Sequence, residues 1–418
     1  MSNHPIRVDR AADADRYLAT DQLVWSAEVR SAPTEVQLTG VEPRHRFAAE
    51  AVGADPATYP GIYGVYPMTL AVPGPDAGRR QVPCAGLTWV GVHPDHRRRG
   101  VLSAMLRHHF EQVHADGGHL SALHASEPAI YGRHGYGLAA IELQVRVGRG
   151  TELSAPHLED AAVTTRMATV TDPGIPARLR ACHLAHAEVG AVVGEHGYYE
   201  RVCLQLPEDL RGKEPWRVLF AQRDGVDVGF TLFRRAEKWE RARPAGEVEV
   251  WTVVGEPAAR LALLRRLVDL DLMATVKVGT VGVDDPLLSW TGGPRGASDV
   301  GMYDGLWVRL VDLPGALAAR TWSAPCDVVV EVADRAAPWN DGAWRIHADA
   351  AGVAAVERSS AEPDLSLDVA VLGAAYLGGG NLVTAHRAGL LAEHRPGAVR
   401  EVWRGLRTEV APTAAVGF

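Results

Sequence analysis

Cysteine is scarce in this chain. Its 418 residues hold four, Cys84, Cys182, Cys203 and Cys326, far apart and without a C-x-x-C pair. That argues against a disulfide framework and a cysteine-held zinc, and it suits a reducing compartment. No apolar run reaches the length of about 18 residues that could span a bilayer. Met1 to Tyr17 alternates charged and small residues without the apolar centre of a secretory signal. The expectation is a cytoplasmic protein with no membrane partner. Positive charge is short as well: 43 Lys and Arg against 51 Asp and Glu leave a formal charge of −8, so the basic face that nucleic acid demands is missing. Low-complexity tracts are absent despite 43 Gly and 26 Pro, and 47% hydrophobic with 22% charged residues is a folded-domain composition. The length predicts about two to four domains.

One stretch organises the rest. Thr88 to Val92 is an apolar strand, His93 to Gly100 a turn holding Arg97, Arg98, Arg99 and Gly100, and Val101 onward a helix. Amides at a helix start are unsatisfied and the dipole is positive there, so an arginine-rich turn with a close-approach glycine suits a polyphosphate. A basic cluster alone is more often a solvated surface; its place between strand and helix gives it weight. Val101, Leu102, Met105, Leu106, Phe110 and Val113 form one helical stripe, closed by Gly117-Gly118. Leu120 to His124 reads as the next strand, and Ser126 as the N-cap of a short helix through Tyr131. Strand, turn, helix, strand predicts two parallel neighbouring strands.

Upstream, Ala11, Tyr17, Leu18, Leu23, Val24 and Val29 recur at roughly helical spacing within residues 6–36. Strand-like residues from Thr58 to Val72 then lead through the turn Pro73 to Gly78 into the strand Ala85 to Val92, as a hairpin. Downstream, the polar passage Gly150 to His157 marks a first boundary. Beyond it the plan repeats: a hairpin across Asp224-Gly225, then the strand Val248 to Val254, then a helix with Leu261, Leu263, Leu264, Leu267 and Leu270, without the arginine run. Gly305 to Leu310 is taken as the opening of a third, α+β part. Gly378 to Asn381 is better explained as a helix end than as a second phosphate loop. The expected domains are residues 1–150, 151–303 and 304–418.

The turn Arg97 to Leu102, followed by His124-Ala125-Ser126-Glu127-Pro128-Ala129-Ile130-Tyr131-Gly132-Arg133-His134-Gly135-Tyr136-Gly137, resembles the GCN5-related N-acetyltransferases (GNAT). It resembles more closely the Eis (enhanced intracellular survival) acetyltransferases of actinobacteria, with Leu102 departing from the small residue of the GNAT motif. The resemblance implies an α+β chain of tandem GNAT folds, the second degenerate, then a sterol-carrier-protein-like domain. It implies an acetyl-CoA-dependent N-acetyltransferase on aminoglycoside, polyamine or lysine amines, without a metal, and a homohexamer. Arg97, Arg98, Arg99, Gly100, Val101, Leu102 and Ser103 would hold the pyrophosphate, with Ser126 nearby, and Val90 and Val92 would pair with the pantetheine arm. Tyr131, protonated at neutral pH, would be the acid for the leaving thiolate. The base implied is the main-chain carboxylate of Phe418, at the end of the small, apolar tail Thr413 to Phe418; a chain end is ordinarily frayed and inert.

Rival readings are a protein-lysine acetyltransferase with a narrow acceptor range, and a hydrophobe-binding protein with a vestigial transferase. A histidine metal site is disfavoured: His114, His119 and His124 recur every five residues, about 140° apart on a helix. His124 and Ser126 are expected on the acceptor side, with Glu127 attracting an amine. Trp25 and Glu28 could face a cationic substrate.

Overall fold

The computed structural model describes residues 6–27, 30–76, 78–195, 197–210 and 212–418. Glu28 and Val29 lie outside the described residues. The first helix is Ala14–Trp25, started by Asp13, whose side chain accepts from Arg16 N, and ended at Ser26 with φ 50°. Its buried face carries Tyr17, Leu18 and Thr20, whereas Leu23 is exposed.

The first sheet is built around a long hairpin, Gly61–Pro73 with Arg79–Val92. Strands Arg46–Glu50 and Val192–Gly194 share one edge of the hairpin, and Arg7–Arg10 extends the sheet beyond the former. On the other side follow Leu120–His124, Leu306–Leu310 and Gly137–Leu138. Helix Val101–Ala115 packs Val101, Met105, Leu106 and Phe110 against Phe47, Tyr63 and Leu123. Burying each such side chain contributes roughly 1.5–3 kcal/mol, which fixes the helix and therefore the turn before it.

The second sheet repeats the scheme. Arg217–Arg223 and Val226–Ala236 form the expected hairpin, with Asp224 at φ 51° and Gly225 at φ 79° as a type I′ turn requires. Strand Gly246–Gly255 runs parallel to Met273–Gly282, and helix Pro257–Val268 crosses between them, burying Leu261, Leu263, Leu264 and Leu267. Here the helix start is closed to anions: its N-cap is Glu256, whose carboxylate pairs with Arg223. A third, five-stranded sheet (354–358, 342–348, 326–333, 365–368, 391–393) carries helices 313–319, 369–375, 382–387 and 398–406. The chain is therefore α+β, two GNAT-like units and a third domain.

The hydrogen bonding crosses the boundaries drawn from sequence. Leu306–Leu310, expected to open the third part, lies in the first sheet between Leu120–His124 and Gly137–Leu138, antiparallel to both. Conversely Ile141–Gly148, on the first side of residue 150, lies in the second sheet between Met273–Gly282 and Asp299–Asp304. Alternation within a strand reveals that it is half-buried; it carries no label for the sheet that will receive it.

Candidate active site

Strand Arg79–Val92 meets strand Leu120–His124 in parallel at only two positions, Ala85 with Ser121 and Gly86 with Ala122. Beyond them the two part, while the first stays paired with Gly61–Pro73 on its other edge as far as Gly61 with Val92. Residues 87–92 thus present an unpaired edge to the gap. The register of the hairpin slips between Ile62 and Gly64, and Trp89 opposite takes φ 53°. Such a bulge bends its strand and re-aims the side chains around it. At the fork, Ser121 Oγ donates to the Ala85 carbonyl at 3.0 Å and lies 2.8 Å from both His109 Nε2 and Tyr136 Oη. Burial pushes His109 down to about 3, so the ring is neutral and this buried polar cluster carries no charge.

A cavity of about 620 Å³ fills the gap. It gathers Val90, Val92, Arg97, Arg98, Gly100, Val101, Leu102, Ser103, Ser126 and Tyr131; of the expected cofactor ligands Arg99 alone falls outside the lining. Arg98 is left-handed at φ 59°, and Gly100, at φ 84°, is an N-cap with no side-chain hydrogen bond. A Cβ at Gly100 would meet nothing within 4 Å, so conformation and not space requires glycine there. The first backbone bond of the helix runs from Ala104 N to Gly100 O, which leaves the amides of residues 101–103, all of which line the cavity, without a helical partner. Arg97, Arg98 and Arg99 are exposed and form no ion pair among the described residues.

Tyr131 ends the short helix Pro128–Tyr131, buried, its ring edge-on to Tyr136 at 5.9 Å. Burial pushes its hydroxyl up to about 12, aided by the charge of Glu127. The N-cap of this helix is Glu127, not Ser126, because Pro128 takes the first helical position. Ser126, Glu127 and Trp25 all line this first cavity, so Ser126 sits with the other residues expected to hold a cofactor and not on an acceptor side apart from them.

A second cavity, about 670 Å³, opens on the other side of the same strand and runs between the two GNAT-like units. Thr88 and Trp89 line it where Val90, Gly91 and Val92 line the first. Phe418 and Gly417 reach it. Their tail is fixed along its length: Thr413 N donates to Val189 O, Val192 N to Ala414 O, Ala414 N to Glu142 Oε1 at 3.1 Å, and Tyr198 Oη to Gly417 O at 2.9 Å. The Phe418 ring stands edge-on to His124 at 5.0 Å and lies against Gly86, where a Cβ would meet Phe418 Cε2 at 3.1 Å and Met68 Sδ at 2.6 Å. His124 is held neutral, its pKa lowered by burial to about 4. Glu142, 8% exposed, has its carboxyl pushed up to about 7 by burial, an effect the Ala414 amide only partly offsets.

Sequence reasoning missed Glu142, Tyr198 and the whole second cavity, whose lining comes from segments as distant as Tyr66 and Phe418. Of the histidines weighed as metal ligands, His114 stacks on Trp339 and His119 lies 3.2 Å from Asp312, while His124 packs on the Phe418 ring. Among the described residues no three His, Cys, Asp or Glu side chains converge as a metal site.

A parted strand beside an uncapped, arginine-flanked helix start is the arrangement that the GNAT resemblance implies for an acyltransferase. Acetyltransferase (GNAT) domain families match residues 10–139 and 190–310, and a sterol carrier protein domain family matches residues 313–414. An uncharacterized N-acetyltransferase of Streptomyces avermitilis is 39% identical over 290 residues, 67% of this chain and 68% of that one. The N-acetyltransferase Eis of Mycobacterium tuberculosis is 30% identical over 286 residues, 64% of each chain. The crystal structure of Eis1 from Mycobacterium abscessus aligns with a TM-score of 0.81 at 28% identity, covering 99% of this chain and 100% of that one. The chain belongs to the Eis-like GNAT N-acetyltransferases.

Proposed function

We propose that this enzyme transfers the acetyl group of acetyl-CoA directly to a primary amine in a ternary complex. The observation that carries the reading is the pair of cavities meeting at residues 88–92, one with the helix cradle and Tyr131, the other with the chain end. The free amides of residues 101–103 and the guanidiniums of Arg97 and Arg98 hold the pyrophosphate, with Arg99 adding long-range charge. The unpaired edge around Val90 and Val92 takes the pantetheine arm as an added strand, and a backbone N–H there polarises the thioester carbonyl.

The amine attacks the carbonyl carbon, a C–N bond forms, and the C–S bond breaks. The Phe418 carboxylate accepts the ammonium proton, directly or through water; at about 3.5 its ordinary pKa makes it a weak base, so exclusion of solvent must strengthen it. Tyr131 donates to the departing sulfur. With its hydroxyl at about 12 and a thiol at about 8.5, Tyr131 stabilises the thiolate chiefly by a hydrogen bond and keeps its proton at rest. Aminoglycosides, polyamines and lysine side chains are the candidate acceptors, and six copies per assembly belong to the same reading.

The test is thiol release from acetyl-CoA with a panel of amines, alongside direct CoA binding. Amine-dependent release is expected; absence of CoA binding would remove the reading. Light scattering checks the assembly.

A further inference from the structure

The cavity beside Phe418 holds charges of both signs, and only some of them are matched among themselves. The Asp209 carboxylate bonds Arg30 at 2.8 Å. Glu249 is held between Lys213 at 2.6 Å and Arg234 at 2.7 Å, and Arg234 also lies 4.6 Å from the Trp216 ring centre. Glu142 is buried against the tail amide of Ala414. Two of the three lining carboxylates, Asp209 and Glu249, therefore already hold a cation.

Two lining cations are not. Arg201 and Lys277 border the cavity and form no ion pair among the described residues. Arg201 follows Tyr198 by three positions on helix Tyr198–Cys203, so the two share a face, and Tyr198 is the residue that binds the Gly417 carbonyl. Asp21 acts on Arg201 through space without pairing with it, and burial raises that carboxyl to about 6. Lys277 is the ladder partner of Glu249, whose Oε2 already takes both Arg234 and Lys213, and among the described residues no ion pair joins Lys277 to it. Half-buried cations without a carboxylate partner repel a polycation and are satisfied by an oxyanion, which an arginine can take in two parallel hydrogen bonds.

We propose that the acceptor is an amine bearing its own acidic group, a carboxylate or phosphate, with the ammonium directed to Phe418 and the acidic group to Arg201 and Lys277. This rests on the acetyl transfer proposed above and narrows its acceptor class away from polycations.

The experiment compares matched acceptors on the full-length enzyme: short ω-amino acids against the alkylamines lacking the carboxylate, phosphoethanolamine against ethylamine, and cadaverine and kanamycin as polycations. The expected result is a kcat/KM at least about tenfold higher for the acidic member of one pair, the size of one charge-assisted contact, and that pair identifies the oxyanion. R201Q and K277Q should each pull the ratio toward one, and R201K should restore most of it. Equal or better use of alkylamines or polycations would overturn the inference while leaving amine acetylation standing. An unchanged ratio in R201Q and K277Q would overturn it too. No CoA release with any amine would remove both readings together.

Discussion

Tyr131 holds its proton more tightly than a tyrosine in water, because its ring is packed against Tyr136 and its hydroxyl is desolvated. In Y131F the packing survives and the donor is lost, so kcat should fall about 100-fold or more while KM for acetyl-CoA stays within a few-fold. Steady-state kinetics at saturating amine separates the two. Glu142 gives a prediction of opposite character. Its folded-state pKa of about 7 lies above the ordinary 4.5, so folding favours the protonated form. That contribution is complete below about pH 4.5 and is lost as pH rises through about 7, at most about 3 kcal/mol. E142Q should therefore flatten the fall in stability over that window, as read by urea denaturation at several pH values. An identical pH profile in wild type and variant would refute the assignment.

Among the elements, the cradle and the tail are separable by mutation. G100A keeps the space but not the conformation at φ 84°, so it should cost about 1 kcal/mol and raise KM for acetyl-CoA more than it lowers kcat. Adding Gly-Ser after Phe418 displaces the carboxylate but spares the contacts of residues 411–416, so turnover should drop sharply with little change in Tm. The cradle was legible in the sequence because strand, turn and helix are contiguous and each announces itself: apolar residues, then Arg97 to Gly100, then a stripe from Val101 to Phe110. The bulge at Trp89 was not, since a slip in register exists only relative to the partner strand. Ser126 misled because a good capping residue was weighed without the proline two positions on. Tail burial could be anticipated from its composition, but Glu142, which receives Ala414, sits in a strand whose alternating pattern is otherwise unremarkable.

Across the whole molecule the three units are bound by exchanged strands and by one buried ion pair. Arg309, on the strand inserted in the first sheet, bonds both carboxylate oxygens of Asp334 just beyond strand Cys326–Ala333, and the two side chains are 0% and 1% exposed. Asp334 also accepts from the amides of Ala336 and Ala337 and from Asn340. Removing one member leaves a buried charge alone, so D334A should destabilise by about 3–5 kcal/mol in chemical denaturation. The insertion of Leu306–Leu310 between strands ending at His124 and Leu138 has a further consequence, in the order of synthesis. A ribosome finishes the first of those neighbours long before it makes the strand that covers it. At about 5–20 residues per second the wait is on the order of ten to forty seconds. During that interval the nascent chain carries an open sheet edge, a natural target for holding chaperones and for mispairing between chains on one message.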